Sequence, residues 1–241
     1  ISGCYSIYYW MMDRFHNQGK AGLGLSAMLG GTGFMVSAAA FEKMGGWCTQ
    51  SISEDLEMSA QCALAEVPIA WVPKAITYDE QPLTFRESVK QRRRWTSGTL
   101  QIAGSWLPVL GRNLAERPNL RALDMGATML VPAYQAAALV CMAITALAAG
   151  FVYPGEFSPV LCLGYIAGNM LITILGATLS AMLVLTVENK WDKRLFPALG
   201  IYWFFLLSWV PLTVGCMFKK TTVWEEIRHT RNVSVPQGVG T

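Results

Sequence analysis

Charge disappears from three stretches of the chain, residues 127–152, 157–187 and 197–218, and apolar side chains fill them almost without interruption. A helix crosses the hydrocarbon core of a bilayer in about 20 residues, so each stretch is long enough to form a transmembrane helix. Pro132 and Pro211 are expected to kink their helices, which is tolerated where neighbours satisfy the freed carbonyls. Before Asp124 the pattern is shorter and mixed. "GGTGFMVSAAAFEKMGGW" predicts a glycine turn, a brief apolar strand at residues 34–36, and a helix that Ser37 caps and Gly45 and Gly46 end. "VPIAWVP" and "AITYDEQP" read as short strands bounded by prolines. Alternation of such elements predicts a mixed α/β unit followed by an α-helical membrane region. "QIAGSWLPVLG", residues 101–111, is too short to span and reads as an interfacial segment with Trp106 at the membrane surface.

Composition supports this division. The 241 residues are 53% hydrophobic and 15% charged, which suits a membrane protein better than a soluble domain. Six cysteines form no CxxC pair, and two histidines are too few for a His-based zinc site or a Ser-His-Asp triad. The opening "ISGCYSIYYWMMDRF" has no signal-peptide pattern and looks like the inside of a domain, so the sequence reads as a piece of a longer polypeptide. Arg86, Lys90, Arg92 to Arg94, Arg112, Arg117 and Arg121 place residues 1–124 in the cytoplasm by the positive-inside rule. "YPGEFSP" then suits the outside and "ENKWDKR" the inside. Three crossings leave residues 219–241 outside, against the preference of Lys219, Lys220, Arg228 and Arg231. Either one apolar stretch is re-entrant or broken, or the tail stays out. "TTVWEEIRHTRN" within that tail reads as an interfacial helix or a lid.

Two polar segments carry candidate chemistry. "SISEDLEMSAQCALAE" has the marks of a helix start, with Ser51 and Glu54 as a capping box, Ser53 as an alternative cap, and acids in the first turn. The other reading projects Asp55 into a cleft as a general base. In "TFRESVKQRRRWTSGTLQ", Gln91, Arg94 and Trp95 share one helical face. Such a face suits a nucleotide diphosphate and a sugar: Arg94 forks onto phosphate oxygens, Gln91 hydrogen-bonds, and Trp95 stacks on a pyranose. The alternative is a juxtamembrane basic patch on anionic lipid. Arg92 and Arg93, off the shared face, fit that description.

"GTG" at 31–33, "SED" at 53–55 and "QRRRW" at 91–95, followed by apolar spans, resemble the processive family-2 glycosyltransferases, the synthases of cellulose, chitin, hyaluronan and poly-N-acetylglucosamine. The resemblance implies a partial GT-A-like α/β catalytic domain. It implies that Asp55 is the base that deprotonates the acceptor hydroxyl, with Glu54 beside it and Ser53 in place of the usual threonine. Gln91, Arg94 and Trp95 then line the acceptor and diphosphate end of the site. Gly31, Thr32 and Gly33 correspond loosely to a loop that touches the acceptor sugar, and a plain turn is the other reading of them.

By the same resemblance the partners are a UDP-sugar donor, a polysaccharide or glycolipid acceptor and membrane lipid, with no nucleic acid. The expected cofactor is Mg²⁺ or Mn²⁺, held by a DxD motif in a donor-binding half. Asp13, Asp55, Asp79, Asp124 and Asp192 form no such pair, so this chain alone is expected not to turn over. The expected division is residues 1–84 as the acceptor half of the catalytic domain and 85–124 as the QxxRW and interfacial helices. Residues 125–218 make about three transmembrane helices, and 219–241 a tail. The expected location is the cell membrane, and the compact build without plant-type insertions suggests a bacterial source. The expected reaction transfers a sugar with inversion onto a growing polymer and couples synthesis to export. A non-processive glycolipid transferase and a non-enzymatic membrane module are the alternatives.

Overall fold

The computed structural model of the chain describes residues 1–151 and 157–219. The centre of the predicted outside hairpin and the interfacial helix or lid of the tail lie outside the described residues. Helix α1 (Ser2–Met11) runs through a π-helical turn, Met12–Asn17, into α2 (Gln18–Gly22). After a loop come α3 (Ala38–Lys43), α4 (Glu54–Leu64) and the long α5 (Phe85–Glu116). Helices α6 (Leu120–Met129), α7 (Val131–Gly150) and α8 (Pro159–Val187) follow. A short 3₁₀ turn, Lys193–Leu195, then leads into α9 (Phe196–Leu207) and α10 (Trp209–Phe218).

No strand occurs among the described residues, which corrects the expected α/β class. Residues 34–36, 67–73 and 75–82 run without helix, yet none belongs to a ladder. The nearest approach to pairing is one backbone bond, from the Ala27 N–H to the Ile69 carbonyl at 3.0 Å, with the Ile69 N–H turned to Ser26 Oγ at 3.4 Å. A strand is defined by its neighbour, and an isolated pair is marginal without further strands. Pro68 and Pro73 also lack the N–H groups a ladder would use. The local helix signals fare better. Ser37 Oγ accepts the Ala40 N–H at 3.2 Å, and Gly45 and Gly46 leave α3 with positive φ.

Two apolar clusters organise the chain. Leu56, Ala60 and Ala63 of α4 pack with Ile102, Ala103 and Leu110 of α5 and Ala122, Met125 and Met129 of α6. Trp106 packs on this cluster and donates its indole N–H to Glu57 Oε1 at 3.2 Å. Residues 101–111 thus continue α5, with Trp106 held against protein. The second cluster joins Cys4, Tyr5 and Ile7 of α1 to Ala177, Ala181 and Val184 of α8 and to Ala198, Tyr202 and Phe205 of α9. Lys20 pins α2 to α6 through Asp124 Oδ2 at 2.8 Å.

Three helices, Val131–Gly150, Pro159–Val187 and the kinked run Lys193–Phe218, are long and apolar enough to cross a membrane. Most of their surface is not covered by protein, and apolar area of that extent is compatible with membrane association. Polar side chains tie the helices together, with Tyr165 donating to Thr145 at 3.0 Å and Thr213 to Gln135 at 2.9 Å. Pro132 falls at the start of α7, where its missing N–H is harmless, and produces no kink within the span. Pro211 does interrupt its helix. It has no N–H for the Leu207 carbonyl, and the helix breaks at Ser208.

Candidate active site

Helix α4 begins with its acids at the front. Ser53 is the residue before the helix, but its side chain makes no cap bond, and the capping box of Ser51 and Glu54 does not form. Glu57 does that work from within the helix: Oε2 accepts the Gln50 N–H at 2.9 Å and the Ser51 N–H at 2.8 Å. Burial pushes the Glu57 carboxyl up, but these N–H donors outweigh it and hold the group below the ordinary carboxylate range. The incoming loop is thereby fixed by Glu57.

Asp55 Oδ1 accepts the Leu56 N–H at 2.8 Å, and Oδ2 faces Gly31, 3.8 Å from where a Cβ would stand. Burial raises the Asp55 pKa; the Leu56 N–H opposes the rise, the Glu54 charge adds to it, and the Arg94 charge opposes it. Asp55 is thus a partly desolvated carboxylate under the influence of one cation, at a helix N-terminus.

The glycine loop is held by the segment before α5. The Thr32 hydroxyl donates to Asp79 Oδ2 at 2.7 Å. Gly33 has φ of +72°, and a Cβ there would stand 2.5 Å from Thr77 Cγ2, so both conformation and space require glycine. "GTG" lies between Asp55 on one side and residues 77–79 on the other.

Helix α5 is regular through Gln91, Arg94 and Trp95, so the three share the face expected of them. Contact between this helix and the start of α4 is made at Gly98. A Cβ on Gly98 would fall on Ser53 Oγ and within 2.8 Å of Ser53 Cβ. That close approach brings the "SED" and "QRRRW" segments together. Trp95 is half-buried: its indole meets Tyr5 and Tyr9 edge-on, at 6.1 Å and 6.3 Å between ring centres, and stacks on Trp209 at 6.1 Å. The Gln91 amide oxygen is buried and has no hydrogen-bond partner. Tyr9 closes the side of the site nearest α1; burial first, then its neighbours Tyr8 and Tyr5, and after them the negative charges of Asp79 and Asp55, raise its phenol well above the ordinary value.

Arg92 departs from its expected role on lipid. It is fully buried among α5, α9 and α10, whereas Arg93 is exposed. Gly98, Tyr5, Tyr9, Thr77 and Asp79 were not readable as site residues from motif spacing. Only Gly98 left a trace, because glycine amid Thr96 and Ser97 in a helix interior signals a close helix contact. Among the described residues no group of three His, Cys, Asp or Glu side chains gathers to hold a metal. The expected divalent ion finds no seat in them.

Comparison with known proteins agrees with a glycosyltransferase at the level of the family. Over 81 residues the chain is 31% identical to the probable glycosyltransferase YdaM of Bacillus subtilis (strain 168), covering 34% of this chain and 19% of that protein. The chain thus matches about a fifth of the length of that relative. No solved structure gives a significant match. The model of the glycosyl transferase family group 2 matches residues 4–218, from α1 to the end of α10. That match takes in most of the chain, which therefore belongs to the glycosyl transferase family group 2.

Proposed function

We propose that this chain carries the acceptor side of a membrane glycosyltransferase that moves a sugar from a UDP-sugar to a growing polysaccharide with inversion. Family membership supports a glycosyl transfer role, and such a reaction takes a sugar donor and an acceptor. The observation that carries the finer reading is the meeting of the two motifs: Gly98 seats against Ser53, which supports a shared site for Asp55 and the face of Gln91, Arg94 and Trp95.

Inverting displacement at an anomeric carbon needs a base for the acceptor hydroxyl and a cation for the departing diphosphate. Asp55 takes the proton as the acceptor oxygen attacks. Its raised pKa brings the carboxylate closer to the basicity that proton transfer favours. Arg94 stabilises the charge that develops on the leaving diphosphate. Trp95 offers the apolar face of its ring to the acceptor sugar, and the Gln91 amide on the same helical face supplies a hydrogen-bonding group beside it. No step is routed through a metal, because the described residues offer no donor set for one. The exposed apolar faces of α7, α8 and the α9–α10 run support membrane residence beside this site. Handing the polymer to these helices for export is part of the same reading.

The test is UDP release by the complete native polypeptide in membrane vesicles, against a panel of UDP-sugars with Mg²⁺ or Mn²⁺, beside Asp55→Asn. Release with one donor that disappears in the variant supports the assignment. Equal release by the inserted variant removes Asp55 from the role of base. Sizing the product separates polymer synthesis from addition of one or two sugars to a lipid.

A further inference from the structure

Arg92 is the largest fully buried side chain of the described residues. A buried arginine ordinarily has a carboxylate partner. Arg92 forms no ion pair among the described residues. Its charge is spread over weaker partners: Phe205, Ser208 and Trp209 where the third apolar helix breaks, and Ser88 and Phe85 on its own helix. Nη1 donates to the Phe205 carbonyl at 2.9 Å and to Ser208 Oγ at 2.8 Å, while Nε points to the Ser88 carbonyl at 3.4 Å. The guanidinium lies 4.7 Å from the centre of the Phe205 ring, 5.4 Å from that of Trp209 and 5.7 Å from that of Phe85. Cation–π contacts strengthen when desolvated, and arginine keeps its charge even when buried.

The same break carries Trp209. Its ring stacks on Trp95 with an interplanar angle of 29°, and its indole N–H donates to Thr96 Oγ1 at 3.1 Å. A connected path therefore runs from the Arg92 guanidinium, through the face of Trp209, to the face of Trp95. Arg92 and Trp95 sit on one helix, and Trp209 packs against both, with its ring beneath the guanidinium and stacked on the Trp95 indole.

We propose that Arg92 is a positioning residue that locks the break between α9 and α10 onto α5 and thereby sets the plane in which Trp95 receives the acceptor sugar. The sugar-binding half of this statement rests on the function proposed above; the packing half does not. Without the guanidinium, the Phe205 carbonyl is left with the Ser208 hydroxyl at 2.8 Å, Ser208 Oγ loses the donor that ties it to α5, and Trp209 loses the charge over its ring. The Trp95 indole then samples other planes, and acceptor binding weakens while donor binding at Arg94 persists.

The experiment uses the complete polypeptide in vesicles, with cello- and chito-oligosaccharide primers as acceptors and the UDP-sugar that supports release. Arg92→Gln is expected to raise the acceptor KM about tenfold and leave the donor KM within about twofold. Arg92→Lys, which keeps the charge but not the fork, is expected to fall between, and it replaces Arg92→Gln if that variant does not insert. A second readout needs no turnover. The near-UV circular dichroism difference between wild type and Trp95→Phe reports the stacked indole pair, and it is expected to shrink in the Arg92→Gln background. Equal KM changes for both substrates, or an unchanged dichroism difference, overturn the proposal. If wild type transfers no sugar, the function reading fails instead, and the dichroism still decides whether Arg92 holds the pair.

Discussion

At the scale of single residues, the two carboxylates at the start of α4 make opposite predictions. Asp55 is held above its ordinary pKa, chiefly by burial. Between the unfolded and folded values the native state therefore binds the extra proton, and stability falls as pH rises through the folded value. At neutral pH the ionised Asp55 costs stability. Asp55→Asn should then lose transfer by about 10²- to 10⁴-fold while melting no lower than wild type. The acid limb of the rate profile should lie above the ordinary carboxylate range, because the base works only when ionised. Arg94 opposes the rise, so Arg94→Gln should move that limb to higher pH as well as slow the reaction. Glu57 is the reverse case, buried but held low by the N–H groups of Gln50 and Ser51. Its contribution is present above the unfolded pKa and is lost as pH falls through the folded one. Glu57→Gln is expected to destabilise by about 1–3 kcal/mol at neutral pH, and thermal melts should show the difference from wild type closing in acid. A constant gap at all pH values would mean that the charge of Glu57 holds nothing.

At the scale of elements, the decisive contact is between α5 and the residue before α4. Gly98→Ala places a methyl group where Ser53 stands, and Ser53 Cβ cannot rotate out of the way. Overpacking of this kind costs about 1–3 kcal/mol, and here it also moves Asp55 away from Arg94. Transfer should fall more than stability does, and Ser53→Gly in the same chain should recover part of both, since it removes the atoms that collide. Recovery of neither would place the damage elsewhere in α5. This contact shows why the site was only partly legible in the sequence. The motifs are local, and a regular helix through Gln91, Arg94 and Trp95 follows from spacing alone. Which residue of α5 touches α4 is a property of two helices together. Arg92 was misread for the same reason: its place off the Trp95 face is correct, but what lies on that other side is α9 and α10. The strands were misread because alternation and bounding prolines describe an extended chain, and pairing depends on neighbours that the described residues do not offer.

At the scale of the whole molecule, the polar and apolar portions are one mechanical unit. The apolar spans were legible residue by residue, since a charge-free run of sufficient length has few other uses. Nothing in the first residues announced that α1 would pack on them. Tyr5 is buried against α8 and α9, and its hydroxyl shares a hydrogen bond with Ser88 Oγ at 3.1 Å. The same ring meets Trp95 edge-on, so α1 links the spans to the ring proposed to receive the acceptor. Ala181, fully buried in α8 within the cluster that holds Cys4, Tyr5 and Ile7, tests this coupling. Ala181→Leu should push α1 off α8 at a cost of about 1–3 kcal/mol and disturb Tyr5 against Trp95, although it touches none of the proposed site residues. The expected result is a lowered melting temperature together with a raised acceptor KM, while Ala181→Gly, which makes space without pushing, lowers stability with KM little changed. Measuring both variants by fluorescence melts and primer titration in vesicles separates transmitted displacement from simple loss of stability. If both variants lose stability and neither alters KM, the membrane helices support the site without setting its geometry.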